Sequence, residues 1–195
     1  MTVYAAIRKS EAKAGNWIVI SASSGGLGHI ACQIASKAFG MRVIGIDHGS
    51  KKELSLQSGA EHFIDYTTSK DLGADVKALT NGRGSHAVLV LTAANAAYSA
   101  ALTMLRIGGV CVCVGLPEQD MIPIATAYPA LIVEQELKIV GSSVGTRQEA
   151  IETLDLAARG VIKTHYELAK MEDLADVFER MHEGKIAGRV VLDLE

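Results

Sequence analysis

A glycine-rich turn is the segment of this sequence with the clearest chemistry. The stretch SASSGGLG, residues 21–28, joins an apolar run to a segment with helical periodicity. Glycines at such a junction let a pyrophosphate approach backbone N–H groups, and the N-terminus of the helix adds a favourable dipole. Gly25 would permit that approach, and Gly28 would let the helix pack against the strand. Ser23 stands where the dinucleotide fingerprint has its first glycine, so the match is S-x-G-x-x-G, weaker than the full pattern.

An acidic residue follows at the spacing that a dinucleotide site requires. Asp47 ends the second apolar run, 19 residues after Gly28. A carboxylate about 20 residues beyond the glycines accepts hydrogen bonds from the adenosine ribose hydroxyls and repels a 2′-phosphate. Taken alone, the glycine turn could be only a turn and Asp47 only a strand-ending cap. Together, in the first strand–helix–strand unit, they predict dinucleotide binding, with NAD favoured over NADP.

Short apolar runs that alternate with helix-period segments are expected to position these residues. The runs are apolar throughout, as strands buried on both faces are, and lie at 17–21, 42–47, 62–65, 86–91, 110–114 and 138–140. Helices are predicted over 26–39, 51–58, 70–79 and 95–106. This alternation predicts an α/β fold, a doubly wound parallel sheet of the Rossmann type with strand order 3-2-1-4-5-6.

The alternation weakens after Gly145. Amphipathic helices are predicted over 147–159 and 170–182, and a last strand over 189–194. We therefore divide the chain into a leading helical segment at 1–14, a nucleotide-binding domain at 15–145, and a C-terminal segment at 146–195.

The composition is that of a globular protein. Hydrophobic residues make up 49% and charged residues 21%, with a net charge of −3. The sequence has no basic stripe that would bind nucleic acid, no run of about 20 apolar residues that would span a membrane, and no signal-peptide pattern. Cys32, Cys111 and Cys113 lie in apolar runs, so we expect reduced thiols packed in the core of a cytoplasmic protein. The alternative for Cys111 and Cys113 is a pair of metal ligands, but no further Cys or His lies nearby in sequence to complete a tetrahedron.

Several separated motifs resemble the zinc-dependent alcohol dehydrogenases of the medium-chain family, especially the tetrameric microbial ethanol-type enzymes. In chain order they are SGGLGHIA (24–31), RVIGID (42–47), GAEHFID (59–65), GGVCVCVGLP (108–117), IVGSSVGTR (139–147) and GKIAGRVVLD (184–193). The resemblance covers nearly the whole chain. It implies a Rossmann domain followed by a C-terminal segment that belongs to an otherwise absent catalytic domain.

The resemblance implies NAD-binding roles at matching positions. The glycine turn would hold the pyrophosphate together with Arg189, whose guanidinium fork suits phosphate. Asp47 and Lys51 would contact the adenosine ribose, with Lys52 as the alternative lysine. The ends of the fourth, fifth and sixth strands would line the cleft and face the nicotinamide. The full set is Ser24, Gly25, Gly26, Leu27, Gly28, Asp47, Lys51, Leu91, Thr92, Val114, Gly115, Leu116, Ser143, Val144 and Arg189.

Each of these roles has a plainer alternative when the residue is considered without the resemblance. Lys51 and Lys52 could be solvated charges at the start of a helix. Leu91 and Val114 could belong to the core. Arg189 could be a surface charge that precedes a strand.

In these enzymes two cysteines and a histidine hold a catalytic zinc, which polarises the alcohol oxygen so that hydride can leave for the nicotinamide. The resemblance implies that those ligands precede the cofactor domain, and this sequence begins just downstream of them. Its six histidines show no spacing typical of metal ligands. We therefore expect no catalytic residue and no metal ligand here. We interpret the chain as the NAD-binding part of a larger alcohol dehydrogenase, which would bind cofactor without turning over a small alcohol or aldehyde.

Two alternatives remain open. The first is a zinc-free quinone or enoyl reductase of the same superfamily, although such enzymes usually prefer NADPH and Asp47 argues against a 2′-phosphate. The second is a module that senses NAD without catalysis. The resemblance also implies a homo-oligomer that pairs through an edge strand at 131–141.

Overall fold

A parallel sheet of six strands forms the centre of the chain. The structure, a computed structural model, describes residues 1–117 and 122–194. Its strands lie in the order β3-β2-β1-β4-β5-β6, and neighbouring strands run parallel. They are β1 Trp17–Ser21, β2 Arg42–Asp47, β3 His62–Asp65, β4 Ser85–Val90, β5 Leu105–Cys113 and β6 Lys138–Gly141. The predicted fold class and strand order are confirmed.

Helices cover both faces of this sheet. They are α1 Thr2–Lys9, α2 Gly28–Gln33, α3 Lys52–Gln57, α4 Leu72–Leu79, α5 Asn95–Ala101, α6 Pro129–Glu134, α7 Arg147–Ala158 and α8 Leu174–His182. Ile18 and Ile20 of β1 pack in an apolar layer with α1, α2 and α7. Trp17 and Val19 pack in a second layer with α4 and α5. Burial on both faces explains why the strands are apolar throughout rather than alternating.

The first helix differs from the predicted range 26–39. It begins at Gly28, because the preceding residues form the glycine turn. From Ile34 to Ala38 the chain is π-helical, and the Phe39 N–H donates to the Ile34 carbonyl at 3.1 Å. The Ser36 hydroxyl donates to the Cys32 carbonyl at 2.7 Å. A side-chain bond of this kind competes with the helical hydrogen-bond ladder, and π-helical turns inside helices are rare.

The predicted helix at 95–106 is too long. Its last turn is a 3₁₀ turn that ends at Met104, and β5 begins at the next residue. Leu105 pairs with Ser85 of β4 and is buried, so pairing and burial outweigh its helical propensity. Gly108, in the left-handed region at φ 72°, lies where the register between β4 and β5 shifts, between the pairs Ser85–Leu105 and Ala87–Val110, and its N–H donates to the Gln135 carbonyl at 2.8 Å.

The edge predicted at 131–141 is only partly a strand. Residues Pro129–Glu134 form α6, which starts with proline at its first position, a favoured start for a helix. Leu131 packs against the core from that helix. The strand is limited to Lys138–Gly141, which pairs with β5 and lies at the end of the strand order.

A second, two-stranded sheet lies in the C-terminal part. Its strands, β7 Tyr166–Lys170 and β8 Arg189–Asp193, are parallel. The strand β8 was predicted from the sequence and β7 was not, and the predicted helix at 170–182 begins only at Leu174. Because the residues of β7 are largely exposed, its sequence lacks the apolar run that marks a buried strand.

The three cysteines are free thiols that pack as predicted. Cys32 and Cys111 are buried and Cys113 is half-buried. Burial raises the pKa of Cys32 to about 12. A hydrogen bond with Cys113, together with burial, raises the pKa of Cys111. No helix in the described ranges has both the length and the apolar character needed to cross a bilayer.

Candidate functional site

The glycine turn joins the end of β1 to the start of α2. Ala22 is its left-handed residue, with φ 49°, and its carbonyl accepts the Gly25 N–H at 3.0 Å. Ser23, at the position of the missing glycine, accepts a hydrogen bond from the Ser55 hydroxyl of α3 at 2.8 Å. The departure from the full glycine pattern therefore fits a serine pair that ties the turn to α3.

Gly28 is required by close backbone packing within the turn. A Cβ at this position would lie 1.9 Å from the Ala22 carbonyl oxygen and 2.7 Å from the Ser23 carbonyl carbon. A Cβ at Gly25 would lie 3.3 Å from the same oxygen, a much milder contact. The contacts that require glycine here are with backbone of the turn, whereas Gly28 was expected from the sequence to let the helix pack against the strand.

Asp47 lies next to the turn, where sequence analysis expected it. Its Oδ2 accepts the Ser24 N–H at 2.9 Å, and its Oδ1 accepts the His48 N–H at 2.8 Å. The side chain is 7% exposed, yet it lines an open cavity. An ionised carboxylate has about four lone-pair sites, so these two bonds leave Asp47 with capacity to accept further hydrogen bonds.

This cavity, of about 720 Å³, opens where β1, β2 and β4 end. Asp47, Lys51 and Thr92 line it, and the alternative lysine, Lys52, does not. The Ser24 hydroxyl donates to the Lys51 carbonyl at 2.8 Å, which fixes this residue beside the turn. The apolar wall of the cavity includes Ile46, Leu72, Val88 and Met104. An apolar slot with a carboxylate at its mouth suits a flat base joined to a sugar.

Arg189 lies over the glycine turn. A Cβ at Gly26 would be 3.4 Å from Cγ and Cζ of Arg189 and 3.2 Å from the Gly188 carbonyl oxygen. The Gly188 N–H donates to the Ser24 carbonyl at 2.8 Å. Gly26, Arg189 and Lys51 line a second cleft of about 450 Å³. A guanidinium beside backbone N–H groups is suited to bind phosphate oxygens.

The side chain of His29 is hydrogen-bonded to the glycine turn, a contact that was not predicted from the sequence. Its Nδ1 donates to the Gly25 carbonyl at 2.7 Å, and its Nε2 accepts the His165 N–H at 3.1 Å. One turn further along, Gln33 bonds to both backbone groups of Lys163. The four-residue spacing between Gly25 and His29 could have indicated the bond between them. The contacts of His29 and Gln33 with residues 163–165 depend on tertiary structure and leave no local pattern in the sequence.

The ends of β4 and β5 meet closely at the carboxyl edge of the sheet. The N–H groups of Val114 and Gly115 both donate to the Val90 carbonyl, at 3.1 and 3.0 Å. A Cβ at Gly115 would lie 2.2 Å from the Thr92 carbonyl oxygen, so glycine is required there. The Tyr98 hydroxyl donates to the Gly115 carbonyl, and burial raises the pKa of Tyr98 to about 12.

The remaining residues predicted to line the cleft or to face the nicotinamide do not line either cavity. Leu91 is buried and its N–H donates to the Ser21 hydroxyl at 2.9 Å. Leu116, Ser143 and Val144 are exposed, and Val144 is left-handed with φ 49°. Both cavities are lined by other residues. The structure therefore brings the glycine turn, Asp47, Lys51 and Arg189 together. Leu116, Ser143 and Val144 instead follow the ends of β5 and β6, at the carboxyl edge of the sheet.

Ser142 carries a buried hydroxyl that has no hydrogen-bond partner among the described residues. Its N–H donates to the Cys113 carbonyl at 2.9 Å. An unpaired buried polar group costs about 1–3 kcal/mol. We therefore expect Ser142→Ala to raise the free energy of unfolding by about 1 kcal/mol, measured by urea denaturation.

The matched control is Ser21→Ala. The Ser21 hydroxyl accepts the buried Leu91 N–H at 2.9 Å, so its removal is expected to lower the free energy of unfolding by about 1–3 kcal/mol. A loss of stability in Ser142→Ala as large as that in Ser21→Ala would contradict the prediction.

Residues 26–159 match the family model described as zinc-binding dehydrogenase. The chain belongs to the zinc-binding dehydrogenase family. The predicted kinship with alcohol dehydrogenases is confirmed at this level, whereas zinc dependence and the tetrameric subgroup stay predictions.

Members and neighbours of this zinc-binding dehydrogenase family agree in sequence and in fold. Alcohol dehydrogenase 2 of Emericella nidulans is 53% identical over 201 residues, which cover 100% of this chain and 55% of that protein. The chain spans about half the length of the curated relatives it matches. The alcohol dehydrogenase of Aeropyrum pernix superposes with a TM-score of 0.88 at 28% identity, covering 99% of this chain and 55% of that one.

A structure of another named activity is also similar. The Escherichia coli quinone oxidoreductase, solved with NADPH, has a TM-score of 0.83 at 26% identity, covering 99% of this chain and 62% of that one. The zinc-binding dehydrogenase fold is therefore shared by alcohol dehydrogenases and quinone oxidoreductases, so fold alone does not distinguish the two activities.

Proposed function

We propose that this chain binds NAD(H) and forms the cofactor-binding part of an NAD-dependent alcohol dehydrogenase. One observation carries the proposal: the Asp47 carboxylate, at the end of β2, is bonded to the Ser24 N–H of the glycine turn at 2.9 Å and lines the adjoining cavity. With these roles, the ribose acceptor and the phosphate-binding turn would lie within one ligand length of each other.

The residues around the two clefts fit an extended dinucleotide. The adenine would occupy the apolar slot, with the ribose hydroxyls donating to Asp47. The pyrophosphate would lie against the backbone of Gly25 and Gly26, where Arg189 supplies positive charge. The nicotinamide would extend along the carboxyl edge of the sheet towards 114–116 and 143–144.

Bound NAD⁺ would supply the hydride acceptor for oxidation of an alcohol to an aldehyde or ketone, with release of one proton. The residues of this chain bind and orient that acceptor. The described ranges contain no group of three or more His, Cys, Asp or Glu side chains able to hold a metal ion. These residues therefore do not fit a catalytic zinc, and we assign no catalytic step to this chain.

A second candidate is the NADPH-dependent quinone reductase, which the likeness to the Escherichia coli enzyme favours. A 2′-phosphate next to Asp47 would bring two negative charges together in a site where the carboxylate is already largely buried. The relative affinity for the two cofactors therefore separates the candidates. A module that senses NAD without catalysis would share the NAD(H) site and differ only in lacking turnover.

Calorimetric titration of the chain with NADH and with NADPH tests the proposed function. We expect a dissociation constant for NADH below about 1 mM and affinity for NADPH at least about tenfold weaker, a difference of about 1.4 kcal/mol. Absence of NADH binding at millimolar concentration would contradict the proposal, and a preference for NADPH would favour the quinone reductase.

We also propose a cytoplasmic homo-oligomer. The three thiols are free, as in proteins of reducing compartments. β6 lies at the end of the strand order with three of its four residues exposed. An unpaired strand edge of this kind supports pairing with a second copy of the chain.

A further inference from the structure

A buried histidine connects the glycine turn to a distant part of the chain. His29 is in the first turn of α2, and its side chain is 0% exposed. Its two ring nitrogens bond in opposite directions, to the Gly25 carbonyl at 2.7 Å and to the His165 N–H at 3.1 Å. The imidazole therefore bridges the candidate pyrophosphate site and the residues that precede β7.

Further contacts join the same two regions. We call residues 163–165 and 188–189 the C-terminal clamp. Gln33 of α2 donates to the Lys163 carbonyl at 2.9 Å and accepts the Lys163 N–H at 2.8 Å. The Arg189 N–H donates to the His165 carbonyl at 3.1 Å. His165 therefore bonds both to the His29 ring, through its N–H, and to the Arg189 backbone, through its carbonyl.

Both bonds of His29 require the neutral imidazole. Nε2 can accept the His165 N–H only when it carries no proton, so the single ring proton must be on Nδ1, where it is donated to Gly25. Protonation would place a hydrogen on Nε2, facing the His165 N–H. It would also bring a positive charge near Arg189 and the His165 ring, the charged or titratable side chains that face His29 from the described residues.

We propose that His29 is a positioning residue for the cofactor site, because its neutral imidazole holds the C-terminal clamp and Arg189 against the glycine turn, and its protonation releases them. The proposal rests on the proposed NAD(H) site, in which Arg189 contacts the pyrophosphate. His29 itself would not touch the cofactor, but it would control how strongly Arg189 and the glycine turn bind it.

The direction of the pH effect follows from the environment of the ring. Burial lowers the pKa of His29 below its usual 6.5, and the charges of Arg189 and His165 lower it further, against the bond to Gly25. A group whose pKa is lowered by folding contributes stability above the unfolded value, and that contribution is lost as pH falls through the folded value. The clamp is therefore expected to be fully held above about pH 6.5 and to loosen in more acidic solution.

Titrations with NAD⁺ at pH 7.5 and pH 4.5, with intermediate points, test the proposal. We expect the affinity of the wild-type chain to be constant above about pH 6.5 and to fall at lower pH by up to about tenfold, the equivalent of about 1.4 kcal/mol. His29→Leu should bind about tenfold more weakly at pH 7.5 and show no further loss at pH 4.5. His62→Gln is the matched control, because His62 lies on β3 and stacks against Trp17, away from the turn; it should keep the wild-type profile.

A measurement on the unaltered chain covers the case in which His29→Leu fails to fold. Nitrogen-15 spectra should show the His29 ring as the neutral form protonated on Nδ1 at pH 7.5. The His165 amide resonance should shift with the same midpoint as the ring when the pH is lowered.

Two results would overturn the proposal: a wild-type pH profile in His29→Leu, or a His165 amide that does not follow the His29 ring. Failure of the wild-type chain to bind NAD⁺ at either pH would instead contradict the proposed function. In that case the spectra would still decide whether His29 holds the clamp.

Discussion

Replacing Asp47 with alanine is expected to weaken NADH binding at least about a hundredfold. The carboxylate would lose hydrogen bonds from two ribose hydroxyls, and each bond to a charged group contributes about 1.5–3 kcal/mol. At about 1.4 kcal/mol per factor of ten, the loss exceeds two orders of magnitude. Without its negative charge the site should also lose most of its discrimination against NADPH. Calorimetry with both cofactors measures the two effects in one variant.

Two variants separate this role from a structural one. Asp47 also accepts the N–H groups of Ser24 and His48, so Asp47→Asn keeps an acceptor for the turn while removing the charge. Asp65→Ala is the matched control, since Asp65 pairs in register with Asp47 at the end of β3 and does not line the cavity. We expect Asp65→Ala to change NADH affinity less than about threefold. An unchanged ratio of NADH to NADPH affinity in Asp47→Asn and Asp47→Ala would reject the assigned role.

Gly28→Ala is expected to lower the free energy of unfolding by at least about 3 kcal/mol and to abolish cofactor binding. The new Cβ would lie 1.9 Å from the Ala22 carbonyl oxygen. The atoms that this Cβ would meet, in Ala22 and Ser23, belong to backbone, so no flexible side chain can move aside. Ala22 is already left-handed, and displacement of its carbonyl would break the bond to the Gly25 N–H. Urea denaturation gives the loss of stability.

Gly141→Ala is the matched control. A Cβ at Gly141 would meet nothing within 4 Å, so we expect a change within about 0.5 kcal/mol. Gly25→Ala, with its nearest contact at 3.3 Å, should fall between the two. A loss in Gly28→Ala no larger than in Gly141→Ala would mean that the turn adapts to a side chain.

The central sheet could be predicted from the sequence because its strands are buried on both faces. Ile18, Val19 and Ile20 are 0% exposed, and full burial produces continuous apolar runs that are easy to recognise. The errors occurred where pairing overrides local pattern. Leu105 follows a helix directly and still joins β5. The strand β7 has an exposed, mixed sequence, so only its pairing with β8 defines it.

The candidate site likewise has parts that local sequence predicts and parts that depend on contacts between distant residues. The glycine turn and Asp47 could be predicted because their spacing along the chain reflects one strand–helix–strand unit. The contact of His29 with His165 joins residues that are 136 positions apart. Nothing in the neighbourhood of either residue signals the other. The position of Arg189 over Gly26 was expected only through resemblance to relatives, since its own sequence context predicts no more than a charge before a strand.

The clamp on the glycine turn also bears on protein engineering. Ser24, His29 and Gln33 all bond to backbone between 163 and 188, so the glycine turn and the start of α2 are not a structurally independent unit. A graft of residues 21–33 into another scaffold would carry two side chains whose partners stay behind. Transplants intended to change cofactor preference should therefore exchange residues 21–33 together with both segments of the C-terminal clamp.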